Sequence, residues 1–182
     1  MDKKRVLLLL LAVTVVIVGA AASQLSAGTP KLRAVSKAPR VAVRHVNPHV
    51  TRRYRTRTWR WQAVMGMRRA HSSAPLNSRR ALRFWRRYAR YVRRLADRVP
   101  HKSGWLCIHR FEGSWTDSGD PYWGGLQMDR GFMRSYAPRY LLRRGLANHW
   151  TPLEQMWVAE RAHRSGRGFY PWPNTARYCG LI

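Results

Sequence analysis

The sequence predicts a mainly α-helical domain with one short hairpin-like turn, preceded by a long basic helix and a disordered linker. Apolar residues recur at alternating spacings of three and four from Leu82 to Val99, with arginines filling the intervals. Thr151, Pro152 and Glu154 stand where a helix start with a capping box places them. Between these helices, Asp117–Gln127 concentrates Asp-Pro and glycine in a single turn-rich stretch.

Charge divides the chain before any element is assigned. The 182 residues carry a formal net charge of +27, with 35 Lys and Arg against 8 Asp and Glu. Residues 1–100 hold 24 of the basic side chains and two Asp, whereas residues 101–182 hold 11 and the other six acids. The second part also contains both cysteines and most of the tryptophans and glycines. It is therefore the segment able to build a core.

Met1–Ser23 has a basic start, an apolar run from Val6 to Ala22 and small residues at its end. This is the layout of a secretory signal with a small-residue cleavage site. Its 17 apolar-run residues also reach the lower edge of a membrane span, so an uncleaved N-terminal anchor is the other reading. Both export the remainder, secreted, wall-associated or held at the outer face of the cytoplasmic membrane. In an oxidising compartment Cys107 and Cys179 are expected to pair, the alternative being two separate buried thiols.

Residues 24–76 are rich in Pro, Ser, Thr and Arg without a sustained apolar period and read as a linker. Its densest part, Arg52–Trp61, interleaves arginine with aromatics, a pattern suited to anionic wall polymers, anionic membrane surfaces or nucleic acid. A solvated tether is the plainer reading. An exported chain seldom meets nucleic acid, which makes that partner the weakest of the three.

For residues 77–100, Asn77 or Ser78 can cap a helix whose stripe is Leu82, Trp85, Ala89, Val92, Ala96 and Val99, with Pro100 beyond its end. Its basic amphipathic character suits a docking or coiled-coil partner, and secondarily a membrane surface. From residue 103 to 182 the compact domain follows. Ser103 is the expected cap of a short helix through Trp105, Ile108 and Phe111 to Glu112, with Gly113 as its left-handed end. Asp129 caps another helix, Pro138–Arg144 forms a further one closed by Gly145, and Thr151 opens the last strong helix, making Glu154 structural.

Six of the eight acids fall from Glu112 to Glu160, and Glu112 is the one set among Phe111, Trp115 and Trp123. A helix C-terminus and an aromatic surround are settings in which a carboxyl keeps its proton, as a general acid must. On these residues alone, a surface glutamate at a helix end is an equal alternative. Tyr122 and Trp123 offer flat faces for sugar rings, and Gly124 and Gly125 would let a ligand approach the backbone. The seven histidines show no ligand-like cluster along the sequence, so no metal and no cofactor is expected.

Taken in order, Trp105 with Glu112 seven residues on, Trp115, DSGDPYWGGLQ over 117–127, Glu154-Gln155 with Val158-Ala159-Glu160-Arg161, then Trp172, Pro173 and Cys179 resemble the transglycosylase-like domain of resuscitation-promoting factors. Those are small secreted bacterial muralidases with a lysozyme-like α+β fold. The family sets its first cysteine immediately before the glutamate, whereas Cys107 lies five positions before Glu112, and the ending is stretched to WPNTARYC. Both shifts fit one relocated disulfide. Asp117, Asp120 and Pro121 replace the family's Asn, Asn and Gly in the turn.

The resemblance implies an exported enzyme that cleaves peptidoglycan glycan strands as a lytic transglycosylase or muramidase. Glu112 would be its general acid and base, with Ser118, Tyr122, Trp123 and Gln127 binding sugar. The alternative is a non-catalytic wall- or envelope-binding module with a degenerate lysozyme-like domain.

Overall fold

The computed structural model of the chain describes residues 46–182. Met1–Ser23 and the first part of the expected linker lie outside the described residues. The rest is mainly helical: α1 (Pro48–Met65), α2 (Arg79–Ala96), α3 (Lys102–Glu112), α4 (Arg130–Tyr136), α5 (Arg139–Leu142), α6 (Pro152–Ala162) and α7 (Pro173–Tyr178). Between α3 and α4, an antiparallel bridge of Trp123 with Met128 closes the turn.

The core forms around α6. A helix that touches water on one face shows an apolar stripe, but α6 buries every residue from Glu154 to Glu160. Its polar side chains therefore need partners inside the protein. Gln155 is fully buried and spends its amide on four backbone groups: Gly125 N–H donates to Oε1 (2.9 Å), and Nε2 donates to the carbonyls of Trp115, Ala147 and Trp150. Trp157 Nε1 donates to the carbonyl of Ala96 at 2.7 Å, tying α6 to the end of α2.

The capping box at the start of α6 is present in both directions. Glu154 Oε2 accepts from Thr151 N–H at 2.8 Å, and Oε1 accepts from Tyr140 Oη (2.9 Å) and Arg144 Nη1 (2.7 Å). Burial pushes this carboxyl up, but the hydrogen bonds from Thr151, Arg144 and Tyr140 together hold it below the usual carboxylate range. The Tyr140 hydroxyl is driven well above its ordinary value by burial, reinforced by the adjacent Glu154.

A lowered folded-state value means that Glu154 contributes stability above its unfolded value of 4.5, lost as pH falls through the folded value. The gap in Tm between the parent and Glu154→Gln is therefore expected to be widest near neutrality and to narrow as the pH falls below the unfolded value of 4.5. Thermal melts across that range measure it. Glu154→Ala, which strips the cap and both side-chain partners, should cost about 2–4 kcal/mol.

Residues expected to be linker instead form α1, which packs on both α2 and α6. Asn47 accepts from His49 N–H at 2.9 Å as N-cap, Pro48 starts the helix and Gly66 ends it at φ 71°. The apolar period was absent because the buried positions are Thr51, Thr58 and Gln62 before Val64 and Met65. The facing α2 buries Trp85, Ala89, Val92 and Ala96 of the expected stripe, with Ala81 in place of the half-buried Leu82. Trp59 meets Trp85 edge-on at 6.0 Å between ring centroids. Two arginines then clamp the end of α1: Arg161 Nη1 donates to Ala63 O (2.9 Å) and Arg164 Nη2 to Met65 O (2.8 Å).

The stripe of α2 is consequently covered inside the chain by α1 and the core, which supplies the partner the sequence left open. Ser78 caps α2 by accepting from Ala81 N–H at 3.1 Å. The start of α3 also differs: His101 stands at the N-cap without a side-chain bond, and Ser103 lies inside the first turn. Gly113 ends α3 at φ 144° and ψ −168°, not in the left-handed helical form. No described helix is long and apolar enough to cross a membrane.

Candidate functional site

Glu112 is the last residue of α3, and its position depends on what α7 presents to it. Cys107 on α3 and Cys179 at the end of α7 form a disulfide with Cα atoms 6.0 Å apart. Thr175 precedes Cys179 by four residues and so shares its side of the helix. The disulfide thereby sets Thr175 against α3, where its hydroxyl donates to Glu112 Oε1 at 2.8 Å. Thr175 was not singled out in the sequence, although its one-turn spacing from the paired cysteine was visible there.

A cleft of about 300 Å³ opens beside this pair, lined by Glu112, Tyr122, Gln127 and the run Pro171, Trp172, Pro173 and Asn174. Trp172 is buried and forms the rigid wall, its Nε1 donating to Leu126 O at 2.7 Å and its ring packed edge-on against Trp105. Tyr122 is exposed at the rim. Gln127 Nε2 donates to Asp117 Oδ2 (2.6 Å) and Gly124 O (3.0 Å), which fixes the turn and orients the Gln127 amide. Asp117 also accepts from Gly119 N–H and is committed to the turn. Among the described residues, Glu112 is the one carboxylate lining this cleft.

The expected site is thus assembled in part. Glu112, Tyr122 and Gln127 share the cleft, whereas Ser118 is exposed on the turn outside its lining. Trp123 is only 4% exposed, and the Arg130 guanidinium lies 4.6 Å from its ring centroid, so it presents no open face to a sugar. Phe111 points to Tyr178 at the surface, 5.8 Å between centroids, and Trp115 stacks on His109 at 3.9 Å. The aromatic surround of Glu112 is therefore Tyr122 and Trp172.

The glycine pair answers to packing within the chain. A Cβ on Gly124, whose φ is 74°, would come within 2.5 Å of Gln155 Oε1. One on Gly125 would lie 2.5 Å from His109 Nδ1 and 2.7 Å from the Trp115 ring. The close approach the sequence assigned to a ligand is made by Gln155, His109 and Trp115.

Two further groupings were hidden by sequence distance. His101 Nδ1 lies 2.9 Å from Glu160 Oε2, and His163 joins them, its ring centroid 4.1 Å from that of His101. This corrects the expectation that no histidine cluster exists; Glu160 and His163, three apart across the end of α6, were the visible half of the signal. Burial, and next the neighbouring His101, push the His163 imidazole below its ordinary value, with Glu160 acting in the opposite sense. On another face, Arg52, Arg53, Arg57 and Arg60 of α1 join Arg144 around an open groove of about 660 Å³. Comparison with family models, with curated proteins and with solved structures finds no match for this chain.

Proposed function

We propose that this chain is an exported enzyme that cleaves the glycan strands of peptidoglycan, with a lysozyme-like catalytic domain and Glu112 as general acid and base. The observation that carries the reading is the cleft in which Glu112 is the one lining carboxylate, faced by the exposed Tyr122 ring and the Gln127 and Asn174 amides. The ordered motifs from Trp105 to Cys179 supply the substrate class through their resemblance to muralidases.

In this scheme Tyr122 stacks on a sugar ring while Gln127 and Asn174 hold its polar substituents. Glu112 gives its proton to the glycosidic oxygen between N-acetylmuramic acid and N-acetylglucosamine, and the anomeric carbon–oxygen bond breaks. The resulting carboxylate then takes a proton from the incoming hydroxyl. Thr175 holds Oε1 in both states, donating to it and leaving Oε2 for the substrate. A two-carboxylate mechanism needs a second acid across the bond. The lining of the cleft favours attack by the substrate's own 6-hydroxyl, which leaves an anhydromuramyl end.

Its arginine-rich face suits attachment to anionic wall polymers or to the outer face of the cytoplasmic membrane. Arg52, Arg53 and Arg57 project from α1 with no acidic partner among the described residues. Digestion of purified peptidoglycan followed by mass spectrometry tests the reading: soluble muropeptides with anhydromuramyl ends are expected. Reducing ends would indicate attack by water. Protein that sediments with the wall but releases nothing across pH and salt supports the alternative, a non-catalytic wall-binding module.

A further inference from the structure

We propose that His101, Glu160 and His163 form a binding site for a divalent transition-metal ion of the zinc class, at the opposite end of α3 from Glu112. Each residue offers one ligand atom, and the three atoms lie within 4.8 Å of one another. Ligand atoms around a tetrahedral zinc ion stand about 3.3 Å apart, given metal–ligand distances of about 2.0–2.1 Å. Small rotations of the two imidazoles close the observed triangle onto an ion.

An independent observation points to a ligand. The Glu160 side chain is 1% exposed, and its Oε1 is enclosed with no hydrogen-bond partner. The nearest cation, Arg164 Nε, is 3.9 Å away, beyond hydrogen-bond distance, and Arg164 is otherwise engaged with the carbonyls of Glu160 and Met65. Leaving a buried carboxylate oxygen unpaired is costly, and an ion bound there would relieve it. Oε2 meanwhile accepts from Trp105 Nε1 at 3.1 Å, the kind of outer contact that fixes a ligating carboxylate.

The donor set selects the ion. Two imidazoles with one carboxylate match zinc and its neighbours, whereas calcium and magnesium favour oxygen-only shells. His101 is 43% exposed, which gives the ion a route in and leaves room for water as a fourth ligand. His101 is the N-cap of α3, Glu160 lies in the last turn of α6, and His163 begins the turn that follows. The ion would thus lock the first turn of α3 to the central helix. Glu112 lies 11 residues along α3 from His101, about 16 Å at helical rise, so the ion's role is structural and separate from cleavage.

The test uses the full oxidised chain, stripped with chelator and titrated with zinc and, separately, cobalt(II), by calorimetry and visible absorption. One saturable equivalent is expected, with tetrahedral-type cobalt bands displaced by zinc and no matching response to magnesium or calcium. At a hundredfold excess of zinc over Kd the Tm should rise by about 5–10 °C. His101→Ala removes an exposed ligand without opening the core and should weaken binding at least about tenfold. The His101→Gln/His163→Gln double variant should lose the equivalent, while His49→Ala keeps it. Absence of a saturable equivalent, or its persistence in the double variant, overturns the site. Binding and Tm are read without substrate, so neither outcome depends on whether the chain cleaves peptidoglycan.

Discussion

Glu112→Gln is expected to lower the release of soluble muropeptides by about 10²–10⁴-fold, the range supplied by a positioned general acid–base. Glutamine keeps the size of the side chain and an oxygen that can still accept from Thr175, so the packing of α7 against α3 should survive. Sedimentation with purified peptidoglycan and the Tm should therefore match the parent, and only turnover should fall. This separation distinguishes a lost proton donor from a damaged cleft. Equal release by parent and variant would remove Glu112 from the chemistry, whatever the fold.

Removing the disulfide should produce the largest stability effect. The bond joins residues 72 apart, and in the chain-entropy model closing a loop of that length contributes about 4 kcal/mol. Reduction, or a Cys107→Ser/Cys179→Ser double variant, is expected to lower the Tm by about 10–20 °C. Turnover should fall as well, because Cys179 anchors the helix that carries Thr175 and the adjoining cleft wall. Thermal melts with and without reductant, with thiol titration to show that both cysteines were released, decide the matter. A Tm unmoved after both thiols appear would mean that packing alone holds α7.

Local signals were legible wherever one short stretch contained the whole physical cause. The Thr151–Glu154 capping box, the Ser78 and Asp129 caps and the period of α2 could each be read because donor, acceptor or stripe lies within a few residues. α1 escaped for the opposite reason. Its caps, Asn47 with Pro48 and then Gly66, were present, but its buried face includes threonine and glutamine, which look solvent-seeking until the helix packs and the backbone of Arg68 and Ala70 takes up the Gln62 amide. Arginine density completed the disguise, since long basic side chains leave a narrow face for packing.

At the candidate site, Glu112 was legible from scarcity and motif order, and the pairing of Cys107 with Cys179 from the expectation of export. Trp123 was misjudged because one residue of alternation in the turn separates an exposed ring from a buried one: Tyr122 faces outward and Trp123 sits under Arg130. At Gly124 and Gly125 the sequence showed room for a close approach and assigned it to a ligand, whereas the groups that approach there are Gln155 on α6, His109 and Trp115.

By itself, then, the sequence determined that the chain is mainly helical, where its strongest helices begin, and which scarce acid ends α3. Tertiary structure alone decided that α1 is part of the fold, that Thr175 meets Glu112, and that His101 and His163 flank Glu160. The division follows from range. Caps and periods are set by neighbours three or four residues apart, whereas the partners of a buried carboxylate or a cleft wall are brought together only when distant segments pack.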